Sequence, residues 1–136
     1  MGADPLMILC VDDDIDSCAA MERLLSSSGC VTLSAHNCDD ALRTARVARF
    51  DVLLADAGLP DGNGLDLLKQ IRAIYPITGI ALTGYSGLEH QARQAGFGAC
   101  LLKPIDFRAL SIEIGRACGF HSADTADPAA VAPSAI

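Results

Sequence analysis

Leu6-Met7-Ile8-Leu9-Cys10-Val11 is an unbroken apolar run that stops at three consecutive aspartates, Asp12-Asp13-Asp14. A run this short and this uniformly apolar predicts a strand buried on both faces. Such strands belong to parallel sheets, which carry helices above and below. The figure then recurs. Further apolar runs stand at 31–35, 52–55, 77–82 and 99–102, with Gly79 a weak point in the fourth. Each run is followed by a stretch of helical spacing. The first stretch, 15–28, puts Cys18, Met21, Leu24 and Leu25 on one face, and Gly29 stops it. The second, 39–48, has Asn37 or Cys38 near its cap and arginines at 43, 46 and 49, which suits the helix dipole. Leu65, Leu68, Ile71 and Arg72 mark a third, closed before Pro76. A fourth spans 88–95 and ends at Gly96. Asp106 caps a fifth that runs to Cys118.

Five strand–helix repeats predict an α/β three-layer sandwich with a five-stranded parallel sheet and right-handed crossovers. Five strands suit the flavodoxin-like order 2-1-3-4-5. Residues 1–5 read as an N-terminal extension, 6–118 as one domain, and 119–136 as a flexible tail of Ala, Pro, Ser and Asp. Hydrophobic residues make up 51% of the chain and aromatics only 4%, so aliphatic side chains must fill the core.

Several classes are excluded early. The net charge is −7 with no basic cluster, which argues against direct nucleic-acid binding. No apolar run reaches the length of a membrane span. The start lacks the features of a secretory signal, and Leu6 stands where a myristoylation motif has Ser or Thr. A cytoplasmic protein is expected. Cys10, Cys18, Cys30, Cys38, Cys100 and Cys118 form no Cys-x-x-Cys pair, and His36, His90 and His121 lie far apart, so a zinc site is poorly supported. The cysteines read as small core residues in a reducing compartment.

In an open parallel sheet, ligands sit beyond the carboxyl ends of the strands. Those ends here carry Asp12 and Asp13, then His36-Asn37 at the sheet edge, then Asp56, Thr83 and Lys103. Three converging carboxylates repel one another, and raised pKa values, a lysine or a metal ion must offset that repulsion. An all-oxygen site suits Mg²⁺, with Asp12, Asp13, Asp56 and the backbone carbonyl of Gly58 as ligands. A carboxylate attacks phosphorus to form an acyl phosphate. The transferring group spreads charge over three oxygens. Mg²⁺, the Lys103 ammonium and the Thr83 hydroxyl offer one partner for each. Asp56, alone at the end of the central strand, suits the nucleophile. Each residue also has an ordinary reading. Asp12 to Asp16 suit an acidic helix N-terminus, to which Asp14 and Asp16 are assigned outright; Asp56 and Thr83 suit turns, and Lys103 a solvated surface. Of ten basic residues only Lys69 and Lys103 are lysines, so Lys directly after an apolar strand stands out.

Four stretches resemble the receiver domain of two-component response regulators: Ile8-Leu9-Cys10-Val11-Asp12-Asp13-Asp14; Leu53-Leu54-Ala55-Asp56-Ala57-Gly58-Leu59-Pro60-Asp61-Gly62-Asn63-Gly64; Ala81-Leu82-Thr83-Gly84-Tyr85; and Gly96-Phe97-Gly98-Ala99-Cys100-Leu101-Leu102-Lys103-Pro104. Order and spacing agree across residues 6–118. The resemblance implies phosphorylation of Asp56 by a histidine kinase or a histidine phosphotransfer protein. It implies that Asp13 and Asp56 touch Mg²⁺ directly and Asp12 mainly through water, that Thr83 and Lys103 bind the phosphoryl group, and that the Lys103–Pro104 bond is cis. One departure is Cys100, which stands where related receivers often carry an aromatic three residues before the lysine. Ala99-Cys100 and Ala81–Tyr85 look more like receivers attached to hybrid histidine kinases. Tyr85 is placed either over the site or at the surface, packed on the fourth helix.

The resulting expectation is a signalling module, monomeric or weakly dimeric, rather than a turnover enzyme. Three alternatives compete. A Mg²⁺-dependent aspartyl phosphohydrolase shares the chemistry, but its Asp-x-Asp-x-Thr pattern fails at Asp16. A flavodoxin-like cofactor binder would place phosphate against Asp12 to Asp16, which repel it. A degenerate receiver would lack part of the site residue set, which is complete here.

Overall fold

The computed structural model describes residues 5–118. Five parallel strands form the central sheet: β1 (Met7–Val11), β2 (Val31–Ala35), β3 (Val52–Asp56), β6 (Thr78–Thr83) and β7 (Ala99–Leu102), in the order β2-β1-β3-β6-β7. With the short hairpin β4 (Gly58–Leu59) and β5 (Gly62–Asn63) set aside, that is the expected order 2-1-3-4-5. The helices are α1 (Ile15–Ser26), α2 (Cys38–Val47), α3 (Gly64–Arg72), α4 (Glu89–Gln94) and α5 (Phe107–Cys118).

The alternation of side chains along buried strands builds two cores, one on each face of the sheet. Leu9, Val11, Leu53, Ala55 and Ala81 face Ala41 and Ala45 of α2, Leu65, Leu68 and Ile71 of α3, and Ala92 of α4. Ile8, Cys10, Val52, Leu54, Ile80 and Leu82 face Cys18, Met21 and Leu25 of α1, and Leu110 and Ile114 of α5. Burying each large aliphatic side chain contributes about 1.5–3 kcal/mol. Parallel register aligns the layers: Leu9 lies beside both Leu33 and Leu53, and Ala55 beside Ala81.

Local signals explain the ends. Asp14 caps α1 by accepting the Asp16 N–H, and Gly29 ends the turn after it at φ 86°. Asn37 caps α2 by accepting the Asp40 N–H. The Asp106 carboxylate accepts the Arg108 N–H at the start of α5. Some boundaries differ from expectation. Leu6 lies just before β1, although its carbonyl still accepts the Val31 N–H. Helix α1 stops at Ser26 and not Ser28. Asp56 belongs to β3, and the loop after it contains the β4–β5 hairpin, which turn-rich sequence does not announce. Gly79 is not a weakness in β6: any Cβ there would collide with Leu68 and Phe97, whose side chains fill the space. The proposed tail 119–136 and residues 1–4 lie outside the described residues.

Candidate functional site

Parallel topology delivers every strand's carboxyl end to one edge of the sheet. Asp12 follows β1, Asp56 ends β3, Thr83 ends β6 and Lys103 follows β7. Asp12, Asp13 and Asp56 each offer a carboxylate oxygen, and these oxygens lie within 4.8 Å of one another. Asp12 is buried, Asp56 half-buried and Asp13 exposed, so the cluster opens to solvent on one side.

Lys103 reaches into this cluster. Its Nζ donates to Asp12 Oδ2 at 2.7 Å and to Asp56 Oδ2 at 2.9 Å. Burial works against the Lys103 charge, but its hydrogen bonds to Asp12 and Asp56 outweigh it and raise the pKa above the ordinary 10.5. The remaining oxygens are also engaged. Asp12 Oδ1 accepts the Asp14 N–H at 3.0 Å, and Asp56 Oδ1 accepts the Gly58 N–H at 3.0 Å. These bonds hold the carboxylates in place. One lysine does not neutralise three of them, and an all-oxygen, partly open donor set fits a hard divalent cation.

The other expected residues fall as follows. Gly58, proposed as a ligand through its carbonyl, touches Asp56 through its N–H. Thr83 is buried, and its Oγ1 accepts the Tyr85 N–H at 3.0 Å. The Lys103–Pro104 peptide is cis. Tyr85 is 77% exposed and lies at the surface. Cys100 is half-buried on β7 beside Ala81 and packs against the core facing α2, α3 and α4. As assigned, Asp14 caps α1, with the Ser17 hydroxyl and the Asp16 N–H donating to it.

Three further contacts border the site, one of them from His36, which was expected only at the sheet edge, and two that the sequence reading did not assign. His36 Nδ1 lies 3.0 Å from the Asp12 carbonyl oxygen. The Cys18 thiol lies 3.5 Å from the same oxygen. Asp61, at the tip of the β4–β5 hairpin, accepts the Cys38 N–H at 2.7 Å and the Asp39 N–H at 3.1 Å. Those two amides hold the Asp61 carboxyl below its ordinary 3.8. The available signal was an acid flanked by Pro60 and Gly62, which by itself reads as a turn residue.

Known proteins resemble this chain in sequence and fold. The sequence matches the family described as "Response regulator receiver domain" over residues 8–114. The transcriptional regulatory protein ZraR of Escherichia coli K12 is 35% identical over 97% of this chain and 31% of its own length. The response regulator protein PilR of Pseudomonas aeruginosa is 38% identical over 75% of this chain and 24% of its own length. This chain therefore spans about a third or less of those relatives. Among solved structures, the chemotaxis response regulator CheY4 of Vibrio cholerae superposes with a TM-score of 0.76, at 27% identity, covering 83% of this chain and 98% of that one. A response regulator receiver domain protein from Clostridium thermocellum gives 0.77 at 30% identity, covering 83% and 94%. The family match over residues 8–114, with solved receiver structures of the same fold, leads to one conclusion: the chain belongs to the response regulator receiver domain family.

Proposed function

We propose that this chain is a phosphoacceptor that takes a phosphoryl group onto Asp56 with Mg²⁺ bound beside it. The observation that carries the reading is the Lys103 ammonium bridging Asp12 and Asp56, with Asp13 close by. Asp12, Asp13 and Asp56 would hold the ion, together with the Gly58 carbonyl. When bound, Mg²⁺ supplies positive charge that offsets the carboxylates and draws charge from the phosphoryl oxygens. The chain's own residues do the rest. A carboxylate oxygen of Asp56 attacks the phosphorus of a phosphohistidine. The P–N bond breaks, its electron pair leaves with the imidazole, and the imidazole is then protonated. Lys103 is already within reach of Asp56 and pairs with a phosphoryl oxygen as the carboxylate charge is consumed. Thr83 would turn its hydroxyl hydrogen from the Tyr85 carbonyl oxygen, 3.4 Å away, to another phosphoryl oxygen, which biases the β6–α4 segment between two arrangements.

The donor in this reading is a histidine kinase or a histidine phosphotransfer protein, and the chain is a cytoplasmic switch rather than a turnover enzyme. A place within a hybrid kinase is supported by similarity to the sensor histidine kinase RcsC of Salmonella typhi. That protein is 28% identical over 79% of this chain and 12% of its own length.

Intact mass after incubation with Mg²⁺ and acetyl phosphate tests the proposal. One added phosphoryl group is expected, absent with a chelator and absent in Asp56→Asn. No adduct under any condition would indicate a degenerate receiver. Steady donor consumption without adduct would indicate a hydrolase.

A further inference from the structure

The segment that follows Asp56 has little reason to stay in place. The strands β4 and β5 have two residues each, and an isolated two-stranded hairpin is marginal in water. Its interior anchor is Leu59, buried against the core, and Gly64 N–H donates back to the Ala57 carbonyl at 3.1 Å. Its outer anchor is Asp61. The Asp61 carboxylate spans the first two amides of α2, with Cys38 N–H on Oδ1 and Asp39 N–H on Oδ2, from 23 and 22 residues away. The third amide, that of Asp40, belongs to Asn37. A charged acceptor at a helix N-terminus is favoured both by the orphan amides and by the dipole. The bridge thus ties the hairpin tip to a helix that is itself fixed to the sheet by Ala41 and Ala45.

We propose that Asp61 is a positioning residue for the cation site: by anchoring the hairpin to α2, it fixes the 57–63 segment, and with it Gly58, against Asp56. The inference rests on the reading of Asp12, Asp13 and Asp56 as the Mg²⁺ site. Asp61 itself touches no reacting group. It acts through Gly58, whose N–H already bonds Asp56 and whose carbonyl is the proposed ligand. A loop released at its tip must be ordered when the ion binds, and that ordering cost appears in ion affinity.

Calorimetric Mg²⁺ titration of the full chain tests this, alongside the initial rate of phosphorylation by acetyl phosphate. Three variants are compared: Asp61→Ala, Asp61→Asn and Asn37→Ala. Asp61→Ala is expected to weaken Mg²⁺ binding about tenfold. The phosphorylation rate at saturating Mg²⁺ should stay within about twofold, because the reacting groups are untouched. Asp61→Asn keeps one acceptor oxygen and should fall between the wild type and Asp61→Ala. Asn37→Ala removes the other cap of α2 without releasing the hairpin. It should lower the melting temperature and leave Mg²⁺ affinity unchanged. Without Mg²⁺, hydrogen exchange at 57–63 should quicken in Asp61→Ala and not in Asn37→Ala. An unchanged Mg²⁺ constant in Asp61→Ala, or an equal loss in Asn37→Ala, overturns the inference and makes Asp61 a helix cap only. A wild type that binds no Mg²⁺ overturns the site reading itself and the inference with it.

Discussion

The Lys103 ammonium stands 2.7 Å from Asp12 Oδ2, joining residues 91 positions apart. The Asp12 side chain is 3% exposed and that of Lys103 29%. Removing the lysine leaves a buried carboxylate without its partner. Breaking a fully buried pair in this way costs about 3–5 kcal/mol, and the partial exposure of Lys103 reduces the expected cost to about 2 kcal/mol. Urea unfolding of Lys103→Ala in chelator should show that loss, and added Mg²⁺ should recover part of it. A loss below about 0.5 kcal/mol, the range of ordinary surface substitutions, would mean that solvent already screens the pair.

Gly64 opens α3 directly against β3. A Cβ on Gly64 would overlap the carbonyl oxygen of Asp56, a backbone atom that cannot turn aside. Gly64→Ala should therefore push α3 from the end of β3, cost about 3 kcal/mol, and displace Asp56 enough to suppress phosphorylation. Gly58 gives the matching control, since a Cβ there meets nothing within 4 Å. Gly58→Ala should leave stability within about 0.5 kcal/mol of the wild type. Equal behaviour of the two variants in thermal melts would contradict this account of the β3–α3 junction.

The Tyr75 hydroxyl donates to the Ala45 carbonyl at 3.0 Å and accepts the Phe50 N–H at 3.3 Å. Its ring is buried, with the Arg49 guanidinium 5.0 Å from the centroid. Tyr75→Phe keeps the ring and removes the hydroxyl. The expected loss is about 1–2 kcal/mol, because a buried amide and a carbonyl are left without their partner. Denaturant midpoints report it, and an unchanged midpoint would show that neighbouring groups replace the hydroxyl.

Acid should reveal the Asp61 bridge. The folded state holds the Asp61 carboxyl below 3.8 through the Cys38 and Asp39 amides, so the unfolded chain takes up this proton first as pH falls. The contribution of Asp61 is then present above 3.8 and is lost as pH falls through the lower, folded value. The stability difference between wild type and Asp61→Asn should be constant near neutrality and shrink in acid. A difference that stays flat through the acid limb would show that the bridge does not depend on charge.

Much of this was legible because the sheet writes itself into sequence. An apolar run such as 6–11 ending at Asp12 states both a buried strand and where that strand meets solvent, and parallel topology places all such ends together. Asp12, Asp56 and Lys103 were therefore assigned to one place from strand ends alone. The β4–β5 hairpin was not legible, because Gly58 to Gly64 offers turn residues and no alternating apolar pattern. Asp61 and Tyr75 were missed for a different reason. Their partners lie 22–30 residues upstream and are backbone groups, which carry no residue identity for a pattern to detect. Thr83 was assigned correctly to its strand end, but its side-chain partner is the nearby Tyr85 amide, a rotamer choice that spacing does not encode.

Asp61 and Tyr75 also share a relationship that neither shows alone. One bonds the first amides of α2 and the other the Ala45 and Ala48 carbonyls at its last turn, and the two residues stand just before and just after α3. Helix α2 is thus pinned at both ends by the segments that bracket its neighbour. The two helices should move as one plate: a displacement of α3 that begins at Asp56 carries α2 with it, and the far edge of the sheet, at β2, feels what happens at its centre.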